Sequence, residues 1–526
     1  MTLPRVLTEE LGGSPLALAA QRGELRQWYV ERPRSAAAWR AYLDKVRATR
    51  SENWLRALAP AIDPRGAAAN RLQRVIDADG VVVSTGQQAA LFGGPLYTLL
   101  KAVSALTLAD VLERETGIAV APVFWAATDD ADFEEASGAS IVEPGGVRTL
   151  RLPAPERDGI PMNDVPLAEV EQLVDQLAAA CGSASDPGAL ELIRREYTSR
   201  TTLGAAYLRH MRGVLEPLGI AVLDASHAAV RRAAQPVLSR ALGAASAVER
   251  SLRERYDSIR AAGFEPQVDH VPDLSLVFAG APSGEKQRVS VPDAAKLLTT
   301  AEAQALGANV LLRPIVERFI MPSAAYVAGP GELAYFAQVG AAAEELNVPT
   351  PLAVPRWSAT ILEPRIERLL SRLEISREEL RDRHAVESRL ARASLSNDVS
   401  EALRQLRHDL EADVAALEIS DRDDLVPAAS LQGLRRSLLH RVERVERRYI
   451  AAVKRREAEM MRDVATASGA LYPAGKRQER VLNFVPFLAR YGAPLIDLLR
   501  AEAERHASRL VTANAVGLDA PIAERV

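Results

Sequence analysis

The first residues that could do chemistry lie in TGQQAALFGGP, residues 85–95, directly after the β-branched run VVVST. Gln87 and Gln88 carry amide donors and acceptors, and glycines such as Gly86 and Gly94 let a ligand approach the backbone closely. The spacing is neither GxxxxGK[ST] nor GxGxxG, so it predicts no Walker loop and no dinucleotide fingerprint. The segment is instead predicted to form a turn, called the first glycine corner below, that binds a polar, uncharged edge of a ligand.

Lys101 lies nearly two helical turns beyond Pro95, in the helix predicted for residues 95–117. Two interpretations stay open at this point. Its ammonium group points across the mouth of the corner, or it points into solvent.

Three carboxylates, those of Asp129, Asp130 and Asp132, follow the second apolar run, IAVAPVFWAAT at residues 118–128. At the carboxyl end of a strand they could hold an amino group, sugar hydroxyls or a magnesium ion on a nucleotide. The alternative is a solvated acidic loop that caps a helix beginning near Phe133.

A second glycine corner, YVAGPGELAYF, contains Gly329, Gly331, Glu332 and Tyr335 and repeats the design of the first. Because parallel strands end at the same edge of a sheet, the two corners are expected to face one site.

Upstream of this corner, NVLLRPIVERFIMP places Asn309 and Arg313 beside a predicted strand end. A guanidinium there could bind phosphate or carboxylate through two hydrogen bonds. A structural salt bridge explains Arg313 equally well.

Other nucleophiles and bases carry weaker signals. Cys181 is predicted in a loop after a helix, with no histidine near it in sequence, and is interpreted as an incidental thiol. His210 and His270 are interpreted as packing or surface residues. No GxSxG, HRD or DFG pattern, and no CxxC or HExxH pair for zinc, occurs in the sequence.

Composition excludes several classes of protein. The chain has 526 residues and a net charge of -4, which gives no support to nucleic acid or a membrane surface as the main partner. A single cysteine excludes a disulfide framework and favours the cytoplasm. The longest apolar run, residues 118–127, is too short to cross a bilayer, and we expect no export signal.

The pattern of strands and helices predicts an α/β protein with a doubly wound parallel sheet. Residues 81–85 and 118–128 read as strands joined by the helix 95–117, and such a crossover requires parallel pairing. Further strands are predicted at 219–226, with Ser226 capping the next helix, and at 324–329.

The segments around this sheet have patterns of their own. Residues 15–78 are predicted to be helical, and residues 141–160 and 274–292 are predicted to be β insertions, the latter with a PSGE turn. The expected packing anchors of the helical part are Trp28, Trp39, Tyr42 and Trp54.

From about residue 365 the sequence predicts long charged helices that form an antiparallel hairpin around ISDRDDLVP. Apolar residues recur at a three-four spacing in both helices, and such a seam pairs within the hairpin or with a second copy. The seam comprises Leu403, Leu406, Leu410, Val414 and Leu417, then Leu431, Leu434, Leu438, Val442, Val445, Tyr449 and Ala452. Glutamates interleave with the basic run 435–456, which favours a solvated face over nucleic-acid binding.

Five stretches together resemble one family, the bacillithiol-biosynthesis cysteine-adding enzymes (BshC). They are TGQQAALFGGPLYTLLK, PVFWAATDDADFEE, NVLLRPIVERFIMP, YVAGPGELAYF and RQERVLNFVPFLARYG, in the family's order and across most of the chain. The resemblance implies a Rossmann-like core with inserted α+β pieces and a C-terminal coiled-coil hairpin that forms a homodimer. We expect a core at 1–365, the hairpin at 366–470 and a segment returning to the core at 471–526.

The resemblance also implies an activity: joining L-cysteine through its carboxyl group to the amino group of glucosaminyl-malate, the last step of bacillithiol biosynthesis. Amide formation in water is uphill, so ATP is the expected activator, with Mg2+ as its companion. The site residues implied by position are Gln87, Gln88, Tyr97 and Lys101, then Asn309, Arg313, Gly329, Pro330, Glu332 and Tyr335, and finally Gln478, Glu479, Arg480 and Asn483.

The catalytic candidates are Lys101 from this list and, in addition, the three aspartates Asp129, Asp130 and Asp132. The others, together with Gly86 and Gly94, are candidates for binding substrate or nucleotide, and no metal ligand is assigned. In the expected arrangement the glycine corners hold anionic groups, the aspartates hold amines, and the C-terminal motif closes the site.

The acidic segment departs from the family pattern. Where the family has glutamate, aspartate, histidine and aspartate, this chain has Asp129, Asp130, Ala131 and Asp132. Alanine cannot accept or donate a proton, so either the histidine binds rather than catalyses, or this enzyme differs in substrate. The alternatives are a divergent paralogue that uses another amino acid or amine, and a non-catalytic nucleotide-binding dimeric scaffold.

Overall fold

The protein is described here by a computed structural model that covers residues 2–182, 186–280, 286–298, 306–421, 423 and 425–512. The predicted PSGE turn lies outside these residues. The strands are Arg5–Thr8 (β1), Val81–Gln88 (β2), Val120–Ala127 (β3), Gly138–Glu143 (β4), Gly146–Arg151 (β5), Ala221–Asp224 (β6), Leu274–Gly280 (β7), Lys286–Ser290 (β8), Leu306–Ala308 (β9), Ser323–Ala328 (β10), Ala353–Pro355 (β11) and Ala359–Leu362 (β12).

The α-helices flank these strands and form the C-terminal part of the chain. They are Pro15–Arg22 (α1), Ala36–Ala48 (α2), Trp54–Ile62 (α3), Gly66–Asp77 (α4), Leu96–Thr116 (α5), Phe133–Ala136 (α6), Val170–Cys181 (α7), Pro187–Glu196 (α8), Leu203–Leu215 (α9), Ala228–Gly243 (α10), Ala245–Ala261 (α11), Val291–Leu297 (α12), Arg313–Ile320 (α13), Pro330–Glu345 (α14), Pro364–Leu373 (α15), Arg383–Ala393 (α16), Asn397–Ser420 (α17), Ala428–Arg456 (α18), Ala458–Leu471 (α19), Gln478–Val481 (α20) and Val485–Thr512 (α21). In the part of the chain described, none of them is long and apolar enough to cross a membrane.

The chain divides into two compact units. The first comprises residues 1–141, 149–361 and 479–526, and the second comprises residues 142–148 and 362–478.

The centre of the first unit is a parallel sheet with strand order β11-β10-β2-β3-β6, which confirms the predicted fold class. Val82 packs into one hydrophobic cluster, whereas its neighbours Val81 and Val83 pack into another. Because alternate residues of a strand point to opposite faces, both faces of the sheet are covered. This burial explains why the strands read as continuous apolar runs.

Strand β2 is longer than predicted. It continues through Gln88, which pairs with Ala127 of β3, so Gly86, Gln87 and Gln88 are the last residues of the strand rather than the loop after it. Gly117, with a φ of 69°, ends the following helix as expected.

Two local predictions were wrong. Ser226 does not cap α10; the cap is His227, whose Nδ1 accepts from the backbone N–H of Ala229 at 3.1 Å, while the Ser226 hydroxyl donates to Asp224. Cys181 is not in a loop but ends α7, where it is fully buried and burial raises the pKa of its thiol to about 11.

The predicted packing roles in the N-terminal helices are confirmed. Trp28, Trp39 and Trp54 are buried, and Tyr42 contacts the Trp39 ring edge-on at 5.9 Å. The predicted β insertions are confirmed in part. The first forms β4 and β5 but no strand at residues 152–160, and the second forms β7 and β8, which build a three-stranded sheet with β9 from outside the predicted range.

A left-handed turn connects β2 to α5. Phe92, Gly93 and Gly94 have φ values of 53°, 83° and 85°, and the Asn483 amide donates to the carbonyl oxygens of Phe92 and Gly94 at 3.0 and 2.9 Å. A Cβ on Gly93 would lie 2.5 Å from the ring of Phe484. The turn therefore requires both glycines. The turn in turn determines where α5 begins.

Substituting Gly93→Ala is expected to lower the free energy of unfolding of the first unit by about 3 kcal/mol, because it combines a left-handed backbone with overpacking. All five tryptophans lie in the first unit, so urea unfolding followed by tryptophan fluorescence reports on it. Gly433→Ala is the control: that glycine lies in α18 of the second unit, where an added Cβ would meet no neighbouring side chain within 4 Å, so the midpoint reported by tryptophan fluorescence should not fall. Equal midpoints for Gly93→Ala and the wild type would contradict the argument.

In the second unit, α17 and α18 form the predicted antiparallel hairpin. Ion pairs between Arg407 and Glu446 and between Arg435 and Glu411 cross it in the antiparallel order. Val414 and Val442 are buried in the seam. Five other seam residues are more than 40% exposed, namely Leu406, Leu417, Leu434, Val445 and Tyr449.

Candidate functional site

A cavity of about 820 Å³ lies at the carboxyl ends of β2, β3 and β10, and all its lining residues belong to the first unit. This is the position at which open parallel sheets bind ligands. The lining side chains and backbone are those of Gly86, Gln87, Gln88, Tyr97, Lys101, Ala127, Asp129, Asp130, Ala131, Asp132, Gly159, Val268, Phe278, Arg288, Ala308, Asn309, Val310, Arg313, Gly329, Pro330, Gly331, Glu332, Tyr335, Arg356 and Arg480.

Lys101 is buried at the cavity wall and does not point into solvent. Its side chain is 3% exposed, and its ammonium group donates to the Gly86 carbonyl at 2.5 Å and pairs with Glu332 at 2.7 Å. Burial lowers the pKa of Lys101, and Glu332 opposes that shift. One lysine thus ties the end of β2 to the start of α14.

The carboxylate of Glu332 accepts hydrogen bonds from several donors. Besides Lys101, it accepts from the Tyr326 hydroxyl at 2.5 Å and from the Gly329 backbone N–H at 2.6 Å. Burial alone would raise the pKa of Glu332, but Lys101 and Arg313 together lower it below its usual value. The carboxylate is therefore an anchor that joins the two glycine corners.

Arg313 begins α13 and is held from three sides. It pairs with Glu317 at 2.7 Å and donates to the hydroxyls of Tyr326 and Tyr335 at 3.2 and 3.0 Å. Burial raises the pKa of Glu317 to about 7, against the influence of Arg313. A Cβ on Gly86 would lie 2.9 Å from Trp125 on β3 and 3.4 Å from this guanidinium, so it is the packing against Trp125 that requires glycine here.

The acidic loop contributes four consecutive lining residues, but two of its carboxylates organise the loop. Asp130 accepts from the Gln88 amide at 2.9 Å and from the backbone N–H of Asp132 at 3.0 Å. Asp132 accepts from the Glu135 N–H and caps α6, so the predicted capping role is confirmed. Burial, with the nearby Asp132 and Asp130, raises the pKa of Glu135.

Tyr97 faces the cavity between these groups. The Gln87 amide donates to its hydroxyl at 3.0 Å, and the Arg356 guanidinium lies 5.9 Å from its ring centre. Burial raises the pKa of Tyr97, so the phenol stays protonated at neutral pH. It offers a neutral hydroxyl donor to a ligand.

The C-terminal motif contributes one side chain to the cavity directly, Arg480. Glu479 acts through Arg356, with which it forms a buried two-point ion pair at 2.6 and 2.9 Å. Asn483 holds the left-handed turn, and Gln478 donates to the Ala470 carbonyl.

Most predicted site residues come together in the cavity, with four exceptions. Gly94, Gln478, Glu479 and Asn483 do not line it and have the structural roles described above. Asn309 lines it, and its side-chain oxygen also accepts from the N–H groups of Leu311 and Leu312 before α13.

Among the lining residues that sequence reasoning missed are two arginines and an aromatic residue, namely Arg356, Arg288 and Phe278. Arg356 follows β11 and has the same signal as the predicted residues, a polar side chain at the carboxyl end of a strand. Arg288 and Phe278 lie in the inserted sheet, and the sequence gives no sign that this insertion reaches the site.

The histidines do not contribute here. Among the lining residues none is a histidine, and His210 is fully buried against Phe484, where burial lowers its pKa to about 3. Within the described ranges, no group of three or more histidine, cysteine, aspartate or glutamate residues is placed to hold a metal ion.

Comparison with known proteins identifies the family. A model described as "Bacillithiol biosynthesis BshC, N-terminal Rossmann-like domain" matches residues 16–357, and one described as "Bacillithiol biosynthesis BshC, C-terminal coiled-coil domain" matches residues 359–510.

Curated relatives match over most of their length and share the name "Putative cysteine ligase BshC". The protein from Solibacter usitatus is 30% identical over 474 residues, 86% of this chain and 88% of its own. The protein from Koribacter versatilis is 30% identical over 436 residues, with coverages of 79% and 81%, and that from Salinibacter ruber is 29% identical over 453 residues, 82% of each chain. This chain therefore belongs to the bacillithiol biosynthesis BshC family of ligase enzymes.

Proposed function

We propose that this protein joins L-cysteine, through its carboxyl group, to the amino group of glucosaminyl-malate in an ATP-dependent reaction. The observation that carries the proposal is a single cavity with an acidic loop, a neutral phenol donor and a set of guanidinium groups at the carboxyl ends of parallel strands. An amine and an anion are the groups that such a cavity pairs with.

The cavity offers features that fit an anionic cofactor. Pro330 and Gly331, at the start of the long helix α14, line it, and a helix N-terminus favours phosphate. A magnesium ion carried on phosphates needs only one or two protein carboxylates, and Asp132 lines the same cavity. Bound ATP would supply a phosphate-bearing leaving group on the cysteine carboxyl, released as AMP or as phosphate.

The residues of this chain would then bind and orient the amine. We assign the acidic loop to the amine, with Asp130 fixed by Gln88 and Asp129 taking the proton that the amine loses as the C–N bond forms and the C–O bond to the leaving group breaks. Tyr97 would donate a hydrogen bond to the carbonyl oxygen, which gains negative charge in that step.

The test incubates purified full-length protein with cysteine, glucosaminyl-malate, ATP and Mg2+. Mass spectrometry should show a product equal to the two substrates minus one water, only when ATP is present, and the nucleotide product distinguishes AMP from ADP. Absence of product from folded protein at saturating substrates would contradict the proposal. Calorimetric nucleotide binding without turnover of any amine would instead favour a non-catalytic scaffold.

One observation favours a second candidate, a paralogue that ligates a different amine. Ala131 lines the cavity at the position of the family's histidine. If that position selects the amine, Ala131→His should shift the ratio of kcat/KM for glucosaminyl-malate over other amines by about tenfold or more. Ala131→Asn, polar but without a titrating group, is the control. An unchanged ratio in an amine panel would count against this candidate.

We also propose that the second unit mediates a cytoplasmic homodimer. The support is the row of half-exposed apolar residues on the hairpin, which a second copy would cover. Light scattering after size exclusion should give twice the mass of the chain, and replacing Leu406 and Leu434 by glutamate should give the monomer.

A further inference from the structure

Arg288 on β8 lines the cavity, and its guanidinium is held by neutral groups. Its Nε and Nη2 donate to the Ser275 carbonyl at 3.1 and 2.9 Å, and Nη2 also lies 3.4 Å from the Leu274 carbonyl. These contacts use one edge of the guanidinium and fix its plane. They supply no negative charge.

The buried cations around it differ in this respect. Lys101 pairs with Glu332, Arg313 with Glu317 and Arg356 with Glu479. For Arg288, the described residues offer no carboxylate within ion-pair distance. Burial lowers the pKa of Arg288, which reflects the cost of removing its charge from water.

The inserted sheet places this residue at the cavity. Arg288 pairs across the β7–β8 ladder with Phe278, and both residues line the cavity. Opposite partners in a ladder lie on the same face, so this face presents an aromatic surface next to a fixed cation. A ligand that rests on Phe278 would bring an anionic group to Arg288.

We propose that Arg288 is an anion-recognition residue of this cavity, which binds a carboxylate or phosphate group of a ligand through the edge of its guanidinium that the carbonyls leave uncovered. An anion there would offset the cost of this partly buried charge, and a two-point guanidinium contact is directional. This inference rests on the proposed function for the identity of the ligand: the group belongs either to the malate part of the acceptor or to the nucleotide.

Calorimetry on the full-length protein tests the inference without requiring turnover. The probes are malate and ATP, titrated separately into the wild type and Arg288→Gln. Loss of one charge-assisted contact should weaken the binding of one probe roughly 10- to 100-fold. Weakened malate binding identifies the acceptor carboxylate as the source, and weakened ATP binding identifies the phosphate.

Two further variants make the result specific. Lys296→Gln removes the same charge from α12, outside the cavity, and should bind both probes like the wild type. Arg288→Lys keeps the charge but lacks the two-point geometry, and should bind more weakly than the wild type and more tightly than Arg288→Gln. If Arg288→Gln fails to fold, the test compares Arg288→Lys with the wild type.

The inference is overturned if Arg288→Gln binds both probes within twofold of the wild type, or if the wild type binds neither. Failure of the proposed ligase reaction looks different: the wild type then binds a probe in an Arg288-dependent way but forms no amide.

Discussion

Replacing Glu332 by glutamine should lower the free energy of unfolding of the first unit by about 3 kcal/mol, because it leaves a buried ammonium without its counter-charge. Lys101 is 3% exposed, and Glu332 is its partner at 2.7 Å. The same carboxylate accepts from Tyr326 and Gly329, so the start of α14 should also lose its position. We therefore expect kcat/KM to fall about 100-fold or more.

The effect should depend on pH in a defined direction. Burial already lowers the pKa of Lys101, and without Glu332 it falls further. The unfolded chain then binds a proton that the folded variant lacks, so the stability of the variant rises with pH up to about 10.4, the pKa of an unfolded lysine. In urea unfolding followed by tryptophan fluorescence, the free energy of unfolding of the variant should fall further below that of the wild type at pH near 6.5 than at pH near 9.

A double variant separates charge from packing. Lys101→Met with Glu332→Gln removes both charges, so the pH-dependent part of the deficit should disappear although the activity does not return. A deficit that is equal at both pH values in Glu332→Gln would contradict the account.

The sequence identified much of this arrangement because the central strands are short apolar runs that end in glycine, amide or carboxylate residues. Parallel strands that end at one edge require their terminal residues to meet, which places Gln87, Asp129 and Glu332 around one cavity. Periodicity also predicted the hairpin, since the spacing of its leucines follows the helical repeat.

Other features depend on contacts between residues far apart in the chain, which no local pattern records. Gly94 has the type expected of a ligand-binding glycine, but its carbonyl is bonded by Asn483, 389 positions away. Lys101 had two open interpretations because its direction depends on Glu332, in another strand-helix unit. Arg288 reaches the cavity through an insertion whose docking the sequence does not specify.

The ion pair of Arg356 and Glu479 should have the second large effect. Both side chains are 2% exposed, and the pair joins the residue after β11 to the segment that carries Arg480. Glu479→Gln leaves a buried guanidinium underpaired, so the free energy of unfolding of the first unit should drop by about 3 kcal/mol and kcat/KM should fall with it.

The double variant Arg356→Met with Glu479→Leu distinguishes a structural role of this ion pair from a role of the Arg356 guanidinium in ligand binding. Apolar replacement of a buried ion pair is often neutral for stability, so the urea midpoint should return to within about 1 kcal/mol of the wild type. Because Arg356 lines the cavity and lies over the Tyr97 ring, activity should stay low although the fold is restored. If activity returns together with stability, the pair only holds the C-terminal segment in place; if stability alone returns, the Arg356 guanidinium acts on the ligand.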